Sequence, residues 1–111
     1  MLKLMIIDDE PFVRKALCQA IDWKKEDCLV AADCRNGREA LDQMETVRPD
    51  IVITDVRMPF MNGVELAKEL CRNWPETLVI MISGYEEFEY AKAAVNYGVF
   101  AYLLKPLDTE E

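Results

Sequence analysis

The chain is predicted to fold as an open α/β domain, a parallel sheet of five strands with helices on both faces. Three observations predict it. Apolar runs alternate with stretches of helical spacing, the mark of repeated strand–helix–strand units. The runs at 4–7, 51–54 and 78–82 are nearly continuous rather than alternating, as strands covered on both faces read. The runs also end in residues that carry chemistry. Asp8 and Asp9 follow the first, Asp55 follows Ile51-Val52-Ile53-Thr54, Ser83 follows Leu78-Val79-Ile80-Met81-Ile82, and Lys105 follows Tyr102-Leu103-Leu104. In an open parallel sheet all strand ends of one polarity lie on one edge, and ligands bind there.

Each element has its own warrant. Strand one is expected over 2–7. Pro11 suits the first turn of a helix, where its missing N–H costs little. Val13, Leu17, Ala20 and Ile21 then recur at helical spacing, predicting a helix over 11–21. Strand two is expected over 28–34. Asn36 can cap a helix over 36–46, with Ala40, Leu41 and Met44 inward and Pro49 breaking it. Strand three is expected over 50–54, and residues 55–62 form a loop. A helix over 63–72, capped by Asn62, turns Val64, Leu66, Ala67, Leu70 and Cys71 toward the sheet. Trp74-Pro75 ends it, because proline disfavours helical geometry in the residue before it. Strand four at 77–82, a helix over 86–97 with Gly98 at its end, and strand five at 101–104 complete the series. After Pro106 the sequence Leu-Asp-Thr-Glu-Glu reads as the first turn of a fifth helix. The expectation is one domain over 1–111, truncated before its final helix and without any output domain. Helix one would then stand alone on its face of the sheet and leave apolar surface uncovered, unless a partner covers that face.

The bulk numbers exclude several function classes. With 111 residues there is room for one modest core. No apolar run approaches the ~20 residues that span a bilayer. The first residues run straight into acids without a cleavage site, so no signal peptide is read and a cytoplasmic location is expected. The net charge is −8. Phosphate backbones would repel such a chain, so direct nucleic-acid contact is not expected of it. Histidine is absent, which rules out His-based triads and phosphohistidine chemistry within the chain. Cys18, Cys28, Cys34 and Cys71 form no Cys-x-x-Cys pair and read as buried or half-buried free thiols.

Taken singly, the strand-end residues have ordinary explanations. Asp8-Asp9-Glu10 can complement a helix dipole, Asp55 can close an Asx-turn, Ser83-Gly84 can be an exit turn, and Lys105 can be a surface lysine. Taken together on one edge, they form a site. Three carboxylates within several Å repel one another, by roughly 4 kcal/mol per pair at 4 Å and an effective dielectric of 20. A hard divalent cation with oxygen ligands and waters relieves that repulsion, and Mg²⁺ suits it. The cation and a lysine would then neutralise an incoming phosphoryl group. One carboxylate can act as nucleophile and form an aspartyl phosphate, with Ser83 and Lys105 as donors to the transferred oxygens.

The segments Ile-Asp-Asp-Glu-Pro, Ile-Thr-Asp-Val-Arg-Met-Pro-Phe-Met-Asn-Gly, Ile-Ser-Gly-Tyr and Tyr-Leu-Leu-Lys-Pro, in this order and spacing, resemble the receiver domain of bacterial two-component response regulators. The resemblance covers the chain up to the final helix. It implies a flavodoxin-like, doubly wound sheet of order 2-1-3-4-5. It implies Asp55 as phosphoacceptor and metal ligand, Asp9 as direct Mg²⁺ ligand, Asp8 as a ligand through water, and Arg57 as a ligand through its backbone carbonyl. Ser83, where threonine is commoner, becomes the switch hydroxyl, Tyr102 the aromatic switch and Lys105 the phosphate-pairing cation. Lys105-Pro106 is implied to be a cis peptide. Phosphorylation would draw Ser83 inward, let Tyr102 turn, and change the face of helix four, strand five and helix five, where a homodimer could form. A sensor histidine kinase is the implied phosphoryl donor, and transcription the implied output through a separate DNA-binding region. Residues 83–92 resemble receivers fused to AraC-type helix-turn-helix regulators.

Three other readings compete. A Mg²⁺-dependent phosphohydrolase with an Asp nucleophile would need a second acid where Arg57 stands. A flavodoxin-like binder would need a Gly/Ser/Thr-rich phosphate loop after strand one, where this chain is acidic. A receiver-like module that is never phosphorylated would have no use for the complete set of acids, hydroxyl and lysine.

Overall fold

The computed structural model describes residues 2–20, 22, 24–55, 63–83 and 101–104. The apolar runs become five parallel strands, β1 (Leu2–Ile7), β2 (Cys28–Cys34), β3 (Ile51–Asp55), β4 (Leu78–Ser83) and β5 (Ala101–Leu104). They lie in the order β2-β1-β3-β4-β5. β1, the first run in sequence, takes an interior position, which suits its buried Leu4, Met5, Ile6 and Ile7. β3 and β4 each run one residue past the expected end, because the ladder continues where Asp55 pairs with Ile82 and Ser83 with Leu104. β1 and β2 change register between Leu4 and Met5. Leu4 faces Val30 and Met5 faces Ala32, so Ala31 is an extra residue on β2.

Three helices are described, α1 (Pro11–Ala20), α2 (Gly37–Val47) and α3 (Gly63–Asn73). Pro11 opens α1, as its fixed φ allows. Asn36 caps α2 from an extended backbone, and its side chain accepts from the Glu39 N–H at 2.8 Å. α2 therefore begins at Gly37, one residue later than expected. It ends before Pro49 is reached. Arg48 takes a left-handed conformation, φ 48°, and its N–H donates to the Met44 carbonyl at 2.8 Å. α3 ends at Asn73, immediately before Trp74-Pro75. The helix expected over 86–97, and Ile21, lie outside the described residues.

Alternation along the strands splits the interior into two layers. Met5, Ile7, Val52, Val79 and Met81 point to the face covered by α2 and α3, where Ala40, Met44, Leu66, Ala67 and Leu70 close the core. Full burial of one such large side chain contributes roughly 1.5–3 kcal/mol. Leu4, Ile6, Ile53 and Ile82 point to the other face, where Leu17 and Cys18 of α1 pack against them. Leu2 and Leu78 on that face are exposed. At the amino edge, Asp50 ties three strands together. Its carboxylate accepts from the Lys3 N–H at 2.8 Å, its N–H donates to the Lys3 carbonyl at 2.8 Å, and its carbonyl accepts from the Leu78 N–H at 3.0 Å. Cys28 and Cys34 are buried, Cys18 and Cys71 half-buried, and all four are free thiols. Burial pushes the Cys34 thiol up to about 12, so it stays protonated and unreactive at neutral pH.

Candidate acidic site at the carboxyl edge

β1 and β3 are neighbours in the sheet, and Ile7 pairs with Thr54. The next residue on each strand is therefore an acid, Asp8 beside Asp55. Both are nearly buried, 2% and 8% exposed. Asp9 is exposed at the start of the turn into α1. One carboxylate oxygen from each of Asp8, Asp9 and Asp55 lies within 4.8 Å of the other two. Three acids from two strand ends thus converge on one small volume.

Hydrogen bonds hold this corner. The Asp8 N–H donates to the Cys34 carbonyl at 3.0 Å, continuing the β1–β2 ladder past the strand end. The Glu10 N–H donates to Asp8 Oδ1 at 2.9 Å, an Asx-turn that bends the chain toward α1. The Glu10 carbonyl accepts from the Val13 and Arg14 N–H groups, both at 3.1 Å, and so begins the helix. On β3, the fully buried Thr54 places its hydroxyl 3.0 Å from the Asp55 carbonyl, to which it donates.

The donor set fits a hard divalent cation. It consists of carboxylate oxygens alone among the clustered ligand atoms, with two residues in the protein and one facing water. Mg²⁺ keeps several waters and takes a few carboxylates, and the open Asp9 side leaves room for them. The arrangement also meets the chemical need of a phosphoryl acceptor, a carboxylate at a strand end beside a place for a counter-charge.

The other expected site residues stand as follows. Ser83 is the last residue of β4, the strand next to β3, so its backbone reaches the same edge as Asp55. Tyr102 lies on β5, paired with Met81. Arg57, Lys105 and Pro106 lie outside the described residues. Two residues next to the cluster were not singled out from sequence. Arg14 donates from Nη1 to the Asp8 carbonyl at 2.7 Å and from Nε to Asp33 Oδ2 at 3.3 Å. Their signal was available: Arg14 is a charge at helical spacing with Leu17 and Cys18, and Asp33 is the one acid in the strand Cys-Leu-Val-Ala-Ala-Asp-Cys.

Known proteins share this architecture. Residues 4–111 match the family described as response regulator receiver domain. The uncharacterized transcriptional regulatory protein YesN of Bacillus subtilis is 40% identical over 111 residues, which is all of this chain and 30% of YesN. The transcriptional regulatory protein HptR of Staphylococcus aureus is 40% identical over 97% of this chain and 42% of its own length. The chain thus spans well under half of these curated relatives. Among solved structures, the REC domain of AraT, a response regulator from Geobacillus stearothermophilus, superposes with a TM-score of 0.92. It is 38% identical, over 98% of this chain and 84% of that one. A two component transcriptional regulator AraC from Clostridium phytofermentans gives 0.86 at 34% identity, over 99% and 85%. The strand order, the acidic edge and these matches agree: the chain belongs to the response regulator receiver domain family, whose general function is that of a phosphorylation switch in two-component signalling.

Proposed function

We propose that this chain is the phosphoacceptor switch of a longer transcriptional response regulator, with Asp55 as the acceptor. The convergence of Asp8, Asp9 and Asp55 within 4.8 Å carries the reading. In the proposed reaction an Asp55 carboxylate oxygen attacks the phosphorus of a phosphohistidine on a sensor kinase. The new P–O bond forms as the P–N bond breaks, and the departing imidazole nitrogen takes up a proton from solvent. Asp8, Asp9 and Asp55 would hold Mg²⁺, with the Arg57 carbonyl as a further ligand. When bound, the ion supplies positive charge to the phosphoryl oxygens and offsets the repulsion among the acids. Thr54 holds the Asp55 main chain through its hydrogen bond to the carbonyl, which fixes where the nucleophile starts.

Ser83 and Lys105 would then donate to the phosphoryl oxygens. Tyr102 would follow Ser83 in a two-state change of the face formed by the helix after β4 and by β5, where a homodimer could form. The domain is a regulatory acceptor, and its only chemistry is its own phosphorylation and dephosphorylation. Transcription as the output, through an AraC-type DNA-binding region outside residues 1–111, is supported by the kinds of regulator that share the fold. Among the described residues no helix is long and apolar enough to cross a membrane, and the proposed location is the cytoplasm.

Intact mass after incubation with Mg²⁺ and acetyl phosphate tests the reading on wild type and on Asp55→Ala. One added phosphoryl group on wild type alone is the expected result. Addition to both would move the acceptor elsewhere, and addition to neither would remove the switch.

A further inference from the structure

The three acids sit on two different attachments. Asp55 is part of the β3 ladder, whereas Asp8 and Asp9 lie on the corner between β1 and α1. Mutual repulsion acts to swing that corner away from β3, so something must oppose it. Arg14 is placed to do so. Its side chain is only 14% exposed, and its planar guanidinium reaches two elements at once. Nη1 donates to the Asp8 carbonyl at 2.7 Å, the shortest side-chain hydrogen bond described at this corner. Nε donates at 3.3 Å to Asp33 on β2, which anchors the far side of the fork. The Asp8 main chain is therefore gripped from β2 through its N–H and from α1 through its carbonyl.

We propose that Arg14, fixed by Asp33, is a positioning residue for the acid cluster, and that it sets the cluster's affinity for a divalent cation. It acts through the main chain of Asp8, holding the Asp8–Asp9 corner convergent on Asp55. The inference rests on reading those three acids as a cation site.

The sign of the effect separates positioning from plain electrostatics. Arg14 is a positive charge beside an anionic site, so electrostatics alone predicts that removing it tightens Mg²⁺ binding. Loss of positioning predicts that binding weakens. Partners behind metal ligands typically govern affinity by tenfold or more, so Arg14→Ala should weaken Mg²⁺ binding about tenfold. Arg14→Lys keeps the charge but lacks the fork that spans both partners, and should lie between wild type and Arg14→Ala.

The test is calorimetric titration of Mg²⁺ into the 111-residue chain, wild type and variants, with Asp55→Asn as reference and thermal midpoints recorded in EDTA. A purely structural role lowers the midpoint and leaves the Mg²⁺ Kd unchanged. Weakening in both Arg14 variants supports the proposal. An Arg14→Ala chain that binds Mg²⁺ as tightly as wild type, or more tightly, overturns it. If Arg14→Ala does not fold, Arg14→Lys decides, and an unchanged Kd there overturns it as well. Absence of saturable binding in wild type, or wild-type binding by Asp55→Asn, would instead overturn the cation site itself.

Discussion

α3 and α1 pack on opposite faces of the same sheet, and they are held there by different means. α3 buries Leu66, Ala67 and Leu70 completely. It is attached by apolar area, which is strong and non-directional. α1 has no fully buried side chain among its described residues. Leu17 and Cys18 are half-buried, and Phe12 is 90% exposed. The tie that distinguishes α1 is the Arg14 bridge to Asp8 and Asp33. Such hydrogen bonds contribute modestly to net stability, but they fix angles and distances. The division follows function. The face away from the acid-bearing turn carries the stability, and the helix that leaves that turn is held by contacts that define geometry.

The largest expected effect tests the apolar side of this comparison. Leu70→Ala should cost about 3–5 kcal/mol in urea unfolding, as fully buried leucines do when a cavity remains. Leu17→Ala should cost about 1 kcal/mol, because less of the side chain leaves water. Equal losses would erase the contrast between the faces. Next comes a ligand effect confined to the α1 side. Mg²⁺ at a hundred times its Kd should raise stability by about 2.7 kcal/mol, the gain expected when only the folded state binds. Asp55→Asn should abolish that gain. A gain that persists in Asp55→Asn would place the ion elsewhere. The smallest effect concerns the caps. Asn36→Ala, which deletes the bond to the Glu39 N–H, should destabilise by about 1 kcal/mol while leaving Mg²⁺ affinity as it was. A loss of affinity in that variant would show that the two faces are not independent.

Much of this was legible in the sequence. The bounds of β1, β2 and β5 follow from their apolar runs, and the start of α2 follows from Asn36. Where β3 and β4 end did not follow, because a polar side chain stops an apolar run while the backbone ladder continues through it. Asp55 and Ser83 are ladder residues as well as candidate site residues, so hydrophobicity alone misplaces the boundary by one. The convergence of Asp8 and Asp55 was predictable from strand polarity alone. The Arg14–Asp33 bridge did not follow, because apolar spacing assigns faces but does not say which charged residues meet across them. Nor could the register shift in β2 be read, since it depends on which residues the partner strand presents.

That shift has a consequence for what changes in length the chain tolerates. Side chains alternate along a strand, so one surplus residue reverses the sides taken by everything after it. Were Ala31 paired within the ladder instead of bulged out of it, Ile7 would stand opposite Asp33 instead of Cys34. The carboxylate of Asp33 would enter the apolar layer beneath α2, where an unpaired charge is costly, and Arg14 would lose its counterpart. Ala31, a small exposed side chain, keeps the later residues on their sides by standing outside the ladder. Many replacements should be tolerated there, and deletion of Ala31 should close the bulge while leaving Met5 opposite Ala32, Ile6 opposite Asp33 and Ile7 opposite Cys34.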